Sequence, residues 1–235
     1  MPLRAVLFDF GGTLLDMATD DEAHRRAFAW TAEAWRLPVD GDALWRRHME
    51  YMEPYWHGQP GAWRPLRDLT RESFERLLRA YAREPTEEAW DRFWRAYLDA
   101  HRDVMRPYPD AHECLDRIAA LGLHVGVLSD VDIDFLDFAL GVVGLRDRFD
   151  SITTSEEAGV GKPNPQAFRL ALQKAGAPAS ETAYVGDSAK RDVEGARAVG
   201  MRTLHVVRVG EPSPAAERVA RDLREVAAIL EEWAR

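Results

Sequence analysis

The amino-acid sequence predicts an α/β protein built on a doubly wound, Rossmann-like parallel sheet. Four short apolar segments have the length and composition of buried strands, and helical patterns separate the later ones. These segments span residues 4–8, 124–128, 182–185 and 202–207. The first three end in turns that carry aspartate, at Asp9, at Ser129-Asp130 and at Gly186-Asp187-Ser188. Since ligands bind at the carboxyl ends of parallel strands, we expect these turns to converge on one site.

The helices that accompany this sheet are predicted from apolar spacing and from the glycines that follow them. Apolar residues recur at helical intervals in the segments 111–121, 165–175, 189–199 and 215–233. Gly122, Gly176 and Gly200 stand just past the first three segments, where glycine commonly ends a helix. We therefore assign residues 1–15 and 107–235 to one α/β core.

Residues 16–106 interrupt this alternation and predict a helical domain inserted after the first strand. Seven of the eight tryptophans lie here: Trp30, Trp35, Trp45, Trp56, Trp63, Trp90 and Trp94. One helix is predicted to start after Pro85-Thr86, and a Gly/Pro loop at residues 58–61 interrupts the segment. We expect the aromatic side chains to form the core of this domain. Its histidines, such as His57 and His101, show no metal-ligand spacing and are expected to be structural or surface residues.

Composition limits the classes of function. The 235 residues carry a net charge of −9, which disfavours nucleic-acid binding because phosphate backbones require clustered lysine and arginine. The single cysteine, Cys114, excludes an internal disulfide and is expected to be a small buried residue. Neither a signal peptide nor an apolar segment of membrane-spanning length is evident. We expect a soluble, cytoplasmic protein, a monomer by default, without nucleic-acid or membrane partners.

Four short motifs follow one another in the order in which the predicted strands present them. They are Asp9-Phe10-Gly11-Gly12-Thr13, Ser129, Gly161-Lys162-Pro163, and Gly186-Asp187-Ser188 with Asp192. Singly, each residue has an ordinary explanation as a turn former, a helix-terminal acid or a surface lysine. Together they give the whole chain a resemblance to the haloacid dehalogenase (HAD) superfamily, in which segment 16–106 would be the helical cap between the first and second motifs.

The resemblance implies a magnesium-dependent phosphohydrolase that acts on a small phosphorylated metabolite. Asp9 would attack phosphorus and form an aspartyl-phosphate intermediate. The implied cofactor is Mg²⁺, which suits ligation by oxygen alone. The implied metal-site residues are Asp9, Gly11 through its main-chain carbonyl, Asp187, and Asp192 as an outer partner of the metal or of Lys162. The implied phosphate-binding residues are Gly12, Ser129, Asp130 and Lys162, and the implied catalytic residues are Asp9, Thr13, Ser129 and Lys162.

Gly11 departs from the pattern of the family's phosphatases. They usually carry a second aspartate at this position, which protonates the leaving alcohol and then activates water. General acid–base catalysis contributes about 10²–10⁴ in rate, so its loss predicts a slow enzyme that prefers acyl or aryl phosphates. Asp130 and Asp16 are candidate substitutes for the missing acid, and the alternative for each is an exposed carboxylate without a catalytic role.

Two other functions remain open from the same motifs. Gly11 also suits a family member that binds metal and phosphate with little or no catalysis. A 2-haloacid dehalogenase is a weaker alternative, because that branch uses no metal and has a Ser/Asn-rich fourth motif, whereas Asp187 and Asp192 retain the metal type. Schiff-base cleavage of phosphonates is disfavoured, since the only lysines of the chain lie outside the predicted cap. They are Lys162, Lys174 and Lys190.

Overall fold

The computed structural model describes residues 2–56 and 63–235. It divides into two compact units. The first, the α/β unit, comprises Met1–Asp16 and Pro107–Arg235, and the second, the helical unit, comprises Met17–Arg106. The predicted Gly/Pro loop at residues 58–61 and His57 lie outside the described residues.

Six strands form a parallel sheet in the α/β unit. They are β1 (Ala5–Phe8), β2 (His124–Ser129), β3 (Ser151–Thr154), β4 (Thr182–Gly186), β5 (Arg202–Val206) and β6 (Arg218–Ala220), in the sheet order β3-β2-β1-β4-β5-β6. The central strand β1 is fully buried, and its Ala5 pairs with His124 of β2 and with Thr182 of β4. The chain winds outward from β1 to β3 on one side and from β4 to β6 on the other, which confirms the predicted doubly wound sheet. Its switch point lies between β1 and β4.

Ten α-helices occur among the described residues. The helical unit contains α1 (Met17–Ala34), α2 (Gly41–Trp56), α3 (Leu66–Ala80) and α4 (Glu87–Val104). The α/β unit contains α5 (Ala111–Ala119), α6 (Ile133–Val142), α7 (Ser155–Ala158), α8 (Pro165–Ala175), α9 (Gly195–Ala198) and α10 (Leu223–Trp233). None of these helices is both long and apolar enough to cross a membrane. Cys114 on α5 is buried, as predicted.

The prediction of one regular α-helix over residues 189–199 is wrong. A π-helical turn occupies Ala189–Glu194, and the short helix α9 follows it directly. The hydroxyl of Ser188 caps the turn by accepting a hydrogen bond from the Arg191 N–H at 3.2 Å. Turns of this type are frequent at functional sites.

The predicted helix over residues 215–233 begins later than expected, at Leu223. Arg218–Ala220 instead pairs with β5 as the edge strand β6, and Asp222 then caps α10 by accepting from the Glu225 N–H at 2.9 Å. Strand β3 was not predicted either. Both strands are short and hold few apolar residues, so their place in the sheet depends on pairing that the sequence pattern does not reveal.

Six aromatic residues of the helical unit are buried in its core, as predicted, whereas Trp30, Trp35, Trp63 and Trp94 are only partly buried. Helix α4 begins after Thr86, whose hydroxyl accepts from the Ala89 N–H at 3.1 Å. Phe93 is fully buried and stacks on Phe74 of α3 at a ring-centroid distance of 4.4 Å. Phe28 of α1 packs against Phe93 at 5.6 Å, so three helices meet at this ring.

Three histidines are enclosed in the helical unit as well. His48 and His101 are buried, whereas the side chain of His24 is 14% exposed. Burial lowers the pKa to about 4 for His24 and His101 and to about 3 for His48. Burial also raises the pKa of the neighbouring Asp20 to about 6. At neutral pH the three imidazoles are therefore uncharged and Asp20 is ionised.

Acidification is expected to destabilise this unit. An unfolded chain takes up protons at these histidines near pH 6.5, whereas the folded chain takes them up only near pH 4 or below, so stability is lost as the pH falls through this interval. The raised pKa of Asp20 has the opposite effect, since it makes this unit more stable as the pH falls, but this one group opposes three histidines. Urea unfolding followed by tryptophan fluorescence should give a lower midpoint at about pH 5 than at about pH 7.5. His48→Gln should reduce the difference, and equal midpoints in the unmodified protein would contradict the prediction.

Candidate active site

Asp9 stands at the carboxyl end of the central strand β1. Its N–H donates to the Val185 carbonyl of β4 at 2.9 Å, which fixes the start of the following loop. The hydroxyl of Thr13 donates to Asp9 Oδ2 at 3.1 Å, and both side chains are buried. The loop therefore folds back on Asp9 and holds one of its carboxylate oxygens in place.

Lys162 joins two of the predicted site carboxylates. Its Nζ lies 2.6 Å from Asp9 Oδ1 and 2.6 Å from Asp192 Oδ1, in an almost fully buried position. Burial alone would lower the pKa of Lys162, but Asp192 and Asp9 outweigh it and raise the pKa well above its ordinary value. Nζ also donates to the hydroxyl of Tyr184 at 3.1 Å, and this hydroxyl donates to the Leu128 carbonyl at 3.2 Å. The ammonium therefore stays charged and orients Asp9.

The Asp187 carboxylate lies against Gly12 in the loop that follows β1. Gly12 has a φ of +81°, and a Cβ built on it would lie 2.8 Å from Asp187 Cγ, so a side chain here would displace the carboxylate. Asp187 Oδ1 is buried and has no hydrogen-bond partner among the described residues. An unpaired buried oxygen is costly, and a bound cation would satisfy it.

His205 holds the main chain of Asp187 in position. The N–H of Ser213 donates to His205 Nδ1 at 3.0 Å, so the imidazole carries its proton on Nε2. Nε2 lies 2.9 Å from the Asp187 carbonyl and donates to it. The buried His205 therefore fixes the loop Gly186-Asp187-Ser188 through a hydrogen bond to its main chain. The sequence analysis missed this role.

Both carboxylate oxygens of Asp192 accept hydrogen bonds from other groups of the protein. Oδ1 accepts from Lys162 Nζ, and Oδ2 accepts from the N–H of Ser188 at 2.9 Å. A Cβ at Gly186 would overlap the Asp192 side chain, so this approach also depends on a glycine. The arrangement suits a residue that supports Lys162 and the fourth-motif loop.

Three carboxylates share this pocket. One oxygen from each of Asp9, Asp187 and Asp192 lies within 4.8 Å of the other two. Burial, together with Asp192 and Asp187, outweighs the opposing effect of Lys162 and raises the pKa of Asp9 to about 7. Burial and Asp192 also raise the pKa of Asp187. Three carboxylates and one ammonium leave two formal negative charges, so these oxygen donors fit a divalent cation held by Asp9 and Asp187.

Ser129 is the last residue of β2, the strand next to β1, and Asp130 follows it. Ser129 is buried at the end of the strand, and Asp130 Oδ1 accepts from the main-chain N–H of Lys162 at 2.9 Å. This bond ties the second motif to the third and gives Asp130 a structural role at the site. Asp16 lies past the first loop, directly before α1.

Arg191 is a cation at this site that the sequence analysis missed. The π-helical turn places its Nη1 3.9 Å from Asp130 Oδ2, with the side chain 38% exposed. Burial would lower the pKa of Arg191, but Asp9, Asp130, Asp192 and Asp187 together raise it. A guanidinium that is partly open to solvent at this cluster of acids can receive an anionic group.

This fold and this set of acids define a family of hydrolases. A family model for haloacid dehalogenase-like hydrolases matches residues 3–200. Since the match spans most of the chain, the protein belongs to the haloacid dehalogenase-like hydrolases, which confirms the resemblance that the motifs predicted.

Within the family, the chain is similar to both phosphatases and dehalogenases. It is 29% identical over 209 residues to a glyceraldehyde 3-phosphate phosphatase of Methanopyrus kandleri, covering 88% of this chain and 84% of that protein. It is 30% identical over 213 residues to (S)-2-haloacid dehalogenase 4A of Burkholderia cepacia, covering 89% and 85%. A crystal structure of a defluorinating L-2-haloacid dehalogenase matches with a TM-score of 0.77 and 26% identity, covering 97% of this chain and 95% of that chain. The choice between the two activities therefore depends on the site.

Proposed function

We propose that this protein is a Mg²⁺-dependent phosphohydrolase that cleaves a small phosphorylated metabolite through an aspartyl-phosphate intermediate on Asp9. The observation that carries this proposal is the pairing of two acids at the switch point of the sheet. Asp9 is oriented by Lys162, and Asp187 keeps a buried oxygen without a hydrogen-bond partner among the described residues. The two acids follow the adjacent strands β1 and β4.

The residues have separate tasks in the proposed reaction. A carboxylate oxygen of Asp9 attacks phosphorus as the bond to the leaving oxygen breaks, and the leaving group departs as an anion that takes its proton from water. Water then attacks the acyl phosphate, which releases phosphate and restores the Asp9 carboxylate. Lys162 and Thr13 fix the orientation of Asp9, and Lys162 and Ser129 donate to the transferring phosphoryl oxygens. Mg²⁺, when bound by Asp9 and Asp187, would supply the positive charge that lets two anions approach.

The remaining site residues are proposed to complete this centre. The main-chain carbonyl of Gly11 is the proposed third metal ligand. Asp192 holds the Lys162 ammonium in position through their ion pair. Gly12 and Asp130 shape the phosphate pocket, through the close approach to Asp187 and the bond to the Lys162 main chain. We assign Arg191 to the anionic part of the substrate.

Dehalogenation is the second candidate, because the relative at 30% identity is a 2-haloacid dehalogenase. The electrostatics of the site favour the phosphohydrolase. Burial and two neighbouring acids raise the pKa of Asp9 to about 7, so without a cation a share of Asp9 is protonated at neutral pH and cannot attack. A metal-free reaction would proceed better without Asp187 and Asp192 beside the nucleophile.

Phosphate and halide release from one preparation separate the candidate functions. The protein should release phosphate from acetyl phosphate or p-nitrophenyl phosphate with Mg²⁺ and lose this activity in EDTA. It should release no chloride from 2-chloropropionate. Chloride release that persists in EDTA would establish the dehalogenase instead. Tight phosphate and Mg²⁺ binding without any turnover would establish the binding protein that Gly11 suggests.

Mg²⁺ is expected to stabilise the folded protein more at alkaline than at acid pH. Because the pKa of Asp9 is raised from 3.8 to about 7 on folding, the contribution of Asp9 to the stability of the ion-free protein falls as the pH rises through that interval. A cation held by Asp9 and Asp187 offsets this loss, and protons compete with it at lower pH. The Mg²⁺-induced rise in Tm should be larger at about pH 8 than at about pH 5.5, and Asp187→Asn should abolish it. A rise that survives in Asp187→Asn would contradict this pair of ligands.

A further inference from the structure

Two histidine side chains and one aspartate side chain lie close together in the helical unit. We propose that Asp20, His24 and His101 bind a divalent transition-metal ion such as Zn²⁺. One ligand atom from each residue lies within 4.8 Å of the other two. The proposal is independent of the proposed hydrolase activity, because every residue in it comes from α1 or α4.

The two helices present these groups with a spacing close to that of a metal site. Asp20 and His24 lie four residues apart on one face of α1, and His101 comes from α4. His101 Nε2 lies 3.6 Å from Asp20 Oδ1, and His24 Nδ1 lies 3.6 Å from Asp20 Oδ2. Ligands at about 2.0–2.1 Å from a tetrahedral Zn²⁺ are about 3.3 Å apart, so both separations exceed the ligand spacing by about 0.3 Å, and the two rings approach different oxygens of Asp20. The sequence analysis found no such spacing because the third ligand lies on a different helix.

Tyr97 orients both imidazoles. The main-chain carbonyl of Tyr97 accepts from His101 Nδ1 at 2.7 Å, and a carbonyl can only accept, so Nδ1 carries the proton and Nε2 faces Asp20 as a lone pair. The hydroxyl of Tyr97 lies 2.8 Å from His24 Nε2. Histidine ligands of metals are typically held in this way, by a hydrogen bond from the ring nitrogen that does not bind the ion.

Ligation by His24 requires that Nδ1 give up its hydrogen bond to the Asp20 carbonyl and that the ring change tautomer, but it requires no loss of a proton. In the ion-free structure, His24 Nδ1 donates to the Asp20 carbonyl at 2.8 Å, and Nε2 accepts from Tyr97. When Nδ1 binds a cation, its proton moves to Nε2, and the Tyr97 hydroxyl accepts instead of donating. The hydroxyl can act in either direction, so the same contact serves both states.

The electrostatics of the cluster favour a cation. At 3.6 Å the contacts of Asp20 with His24 and His101 are too long for hydrogen bonds. Trp45 stacks on the His24 ring at 4.5 Å and excludes solvent from one side. Two neutral nitrogen donors and one carboxylate suit Zn²⁺, Co²⁺ or Ni²⁺ better than Mg²⁺.

Zn²⁺ titration of the full-length protein in excess Mg²⁺ tests the site, because Mg²⁺ competes for the oxygen-only pocket of Asp9. Calorimetry should detect one Zn²⁺ per chain, and Co²⁺ should give the visible absorption of an imidazole complex. Asp20→Asn and His101→Gln should each weaken Zn²⁺ binding by more than the roughly 10–100-fold that loss of an outer partner causes. Tyr97→Phe should fall within that smaller range.

The matched controls separate a metal site from a structural cluster. His112→Gln on α5 removes a histidine of the α/β unit and should leave Zn²⁺ affinity unchanged, as should Asp187→Asn. Fluorescence-detected unfolding establishes that each variant is folded before titration, and Asp20→Asn keeps the volume of the side chain if His101→Gln fails to fold. Equal Zn²⁺ affinity in Asp20→Asn and the unmodified protein would overturn the proposal. Loss of Zn²⁺ binding in Asp187→Asn would also overturn it, by locating the ion at the Asp9 site.

Discussion

Asp9→Asn is expected to abolish phosphate release, with a loss in kcat on the order of 10⁴–10⁶. The amide has the shape of the carboxylate but has no anionic oxygen to form the bond to phosphorus. Lys162 keeps its second partner in the variant, because its Nζ is also 2.6 Å from Asp192 Oδ1. The loss should therefore reflect chemistry and not unfolding. Release of phosphate from p-nitrophenyl phosphate at saturating Mg²⁺ measures it.

A matched surface change provides the control for this prediction. Asp134 lies on α6 and is exposed, so Asp134→Asn makes the same chemical change away from the site and should retain full activity. Trapping with radiolabelled acetyl phosphate should label the unmodified protein and Asp134→Asn but not Asp9→Asn. Measurable turnover or labelling in Asp9→Asn would show that another residue is the nucleophile.

Gly11→Asp is expected to raise kcat for alkyl phosphates by about 10²–10⁴. An alkoxide is a poor leaving group and needs a proton from an acid, which a carboxyl at position 11 would supply. Gly11 is partly exposed, and the close approach to Asp187 belongs to its neighbour Gly12. Aryl and acyl phosphates should gain much less because their leaving groups need little protonation. Parallel measurements of kcat on glycerol phosphate and p-nitrophenyl phosphate provide the test.

Gly11→Asn is the control, since it adds a side chain of the same size that cannot act as an acid. It should leave the activity towards alkyl phosphates low. An equal rise in both variants would mean that filling space, and not proton transfer, limits the native protein. No rise in Gly11→Asp would mean that another group already serves as the acid, and pH–rate profiles of Asp130→Asn and Asp16→Asn would then identify it.

Most of the α/β unit was predictable because its strands are contiguous apolar segments that end in small or polar residues. The segments before Asp9, Ser129 and Gly186-Asp187 all proved to be neighbouring strands of one sheet, and their order along the chain was enough to predict a common site. A common site for Lys162 and Asp9 was implied by the family resemblance of the ordered motifs, since spacing along the chain carries no information about residues this far apart. Pattern and topology together determine such contacts.

The residues that the sequence analysis missed depend on tertiary contacts. Tyr184 and His205 lie in apolar strands, where an aromatic or imidazole ring normally indicates packing, and only the pairing of β4 with its neighbours brings them to Lys162 and Asp187. Arg191 faces the acids because Ala189–Glu194 is a π-helical turn, whereas an ordinary helix was predicted there. Local propensity does not encode these features.

The central position of β1 has a consequence for synthesis of the protein on the ribosome. Residues 5–8 pair with residues 124–127 on one side and with residues 182–185 on the other, so this first strand has no partner until more than half of the chain has been made. The contiguous helical unit, Met17–Arg106, emerges complete before either partner does. A nascent chain that is stalled before Lys162 therefore lacks both the ammonium partner of Asp9 and strand β4, and translation must pass both before the Asp9 site is assembled.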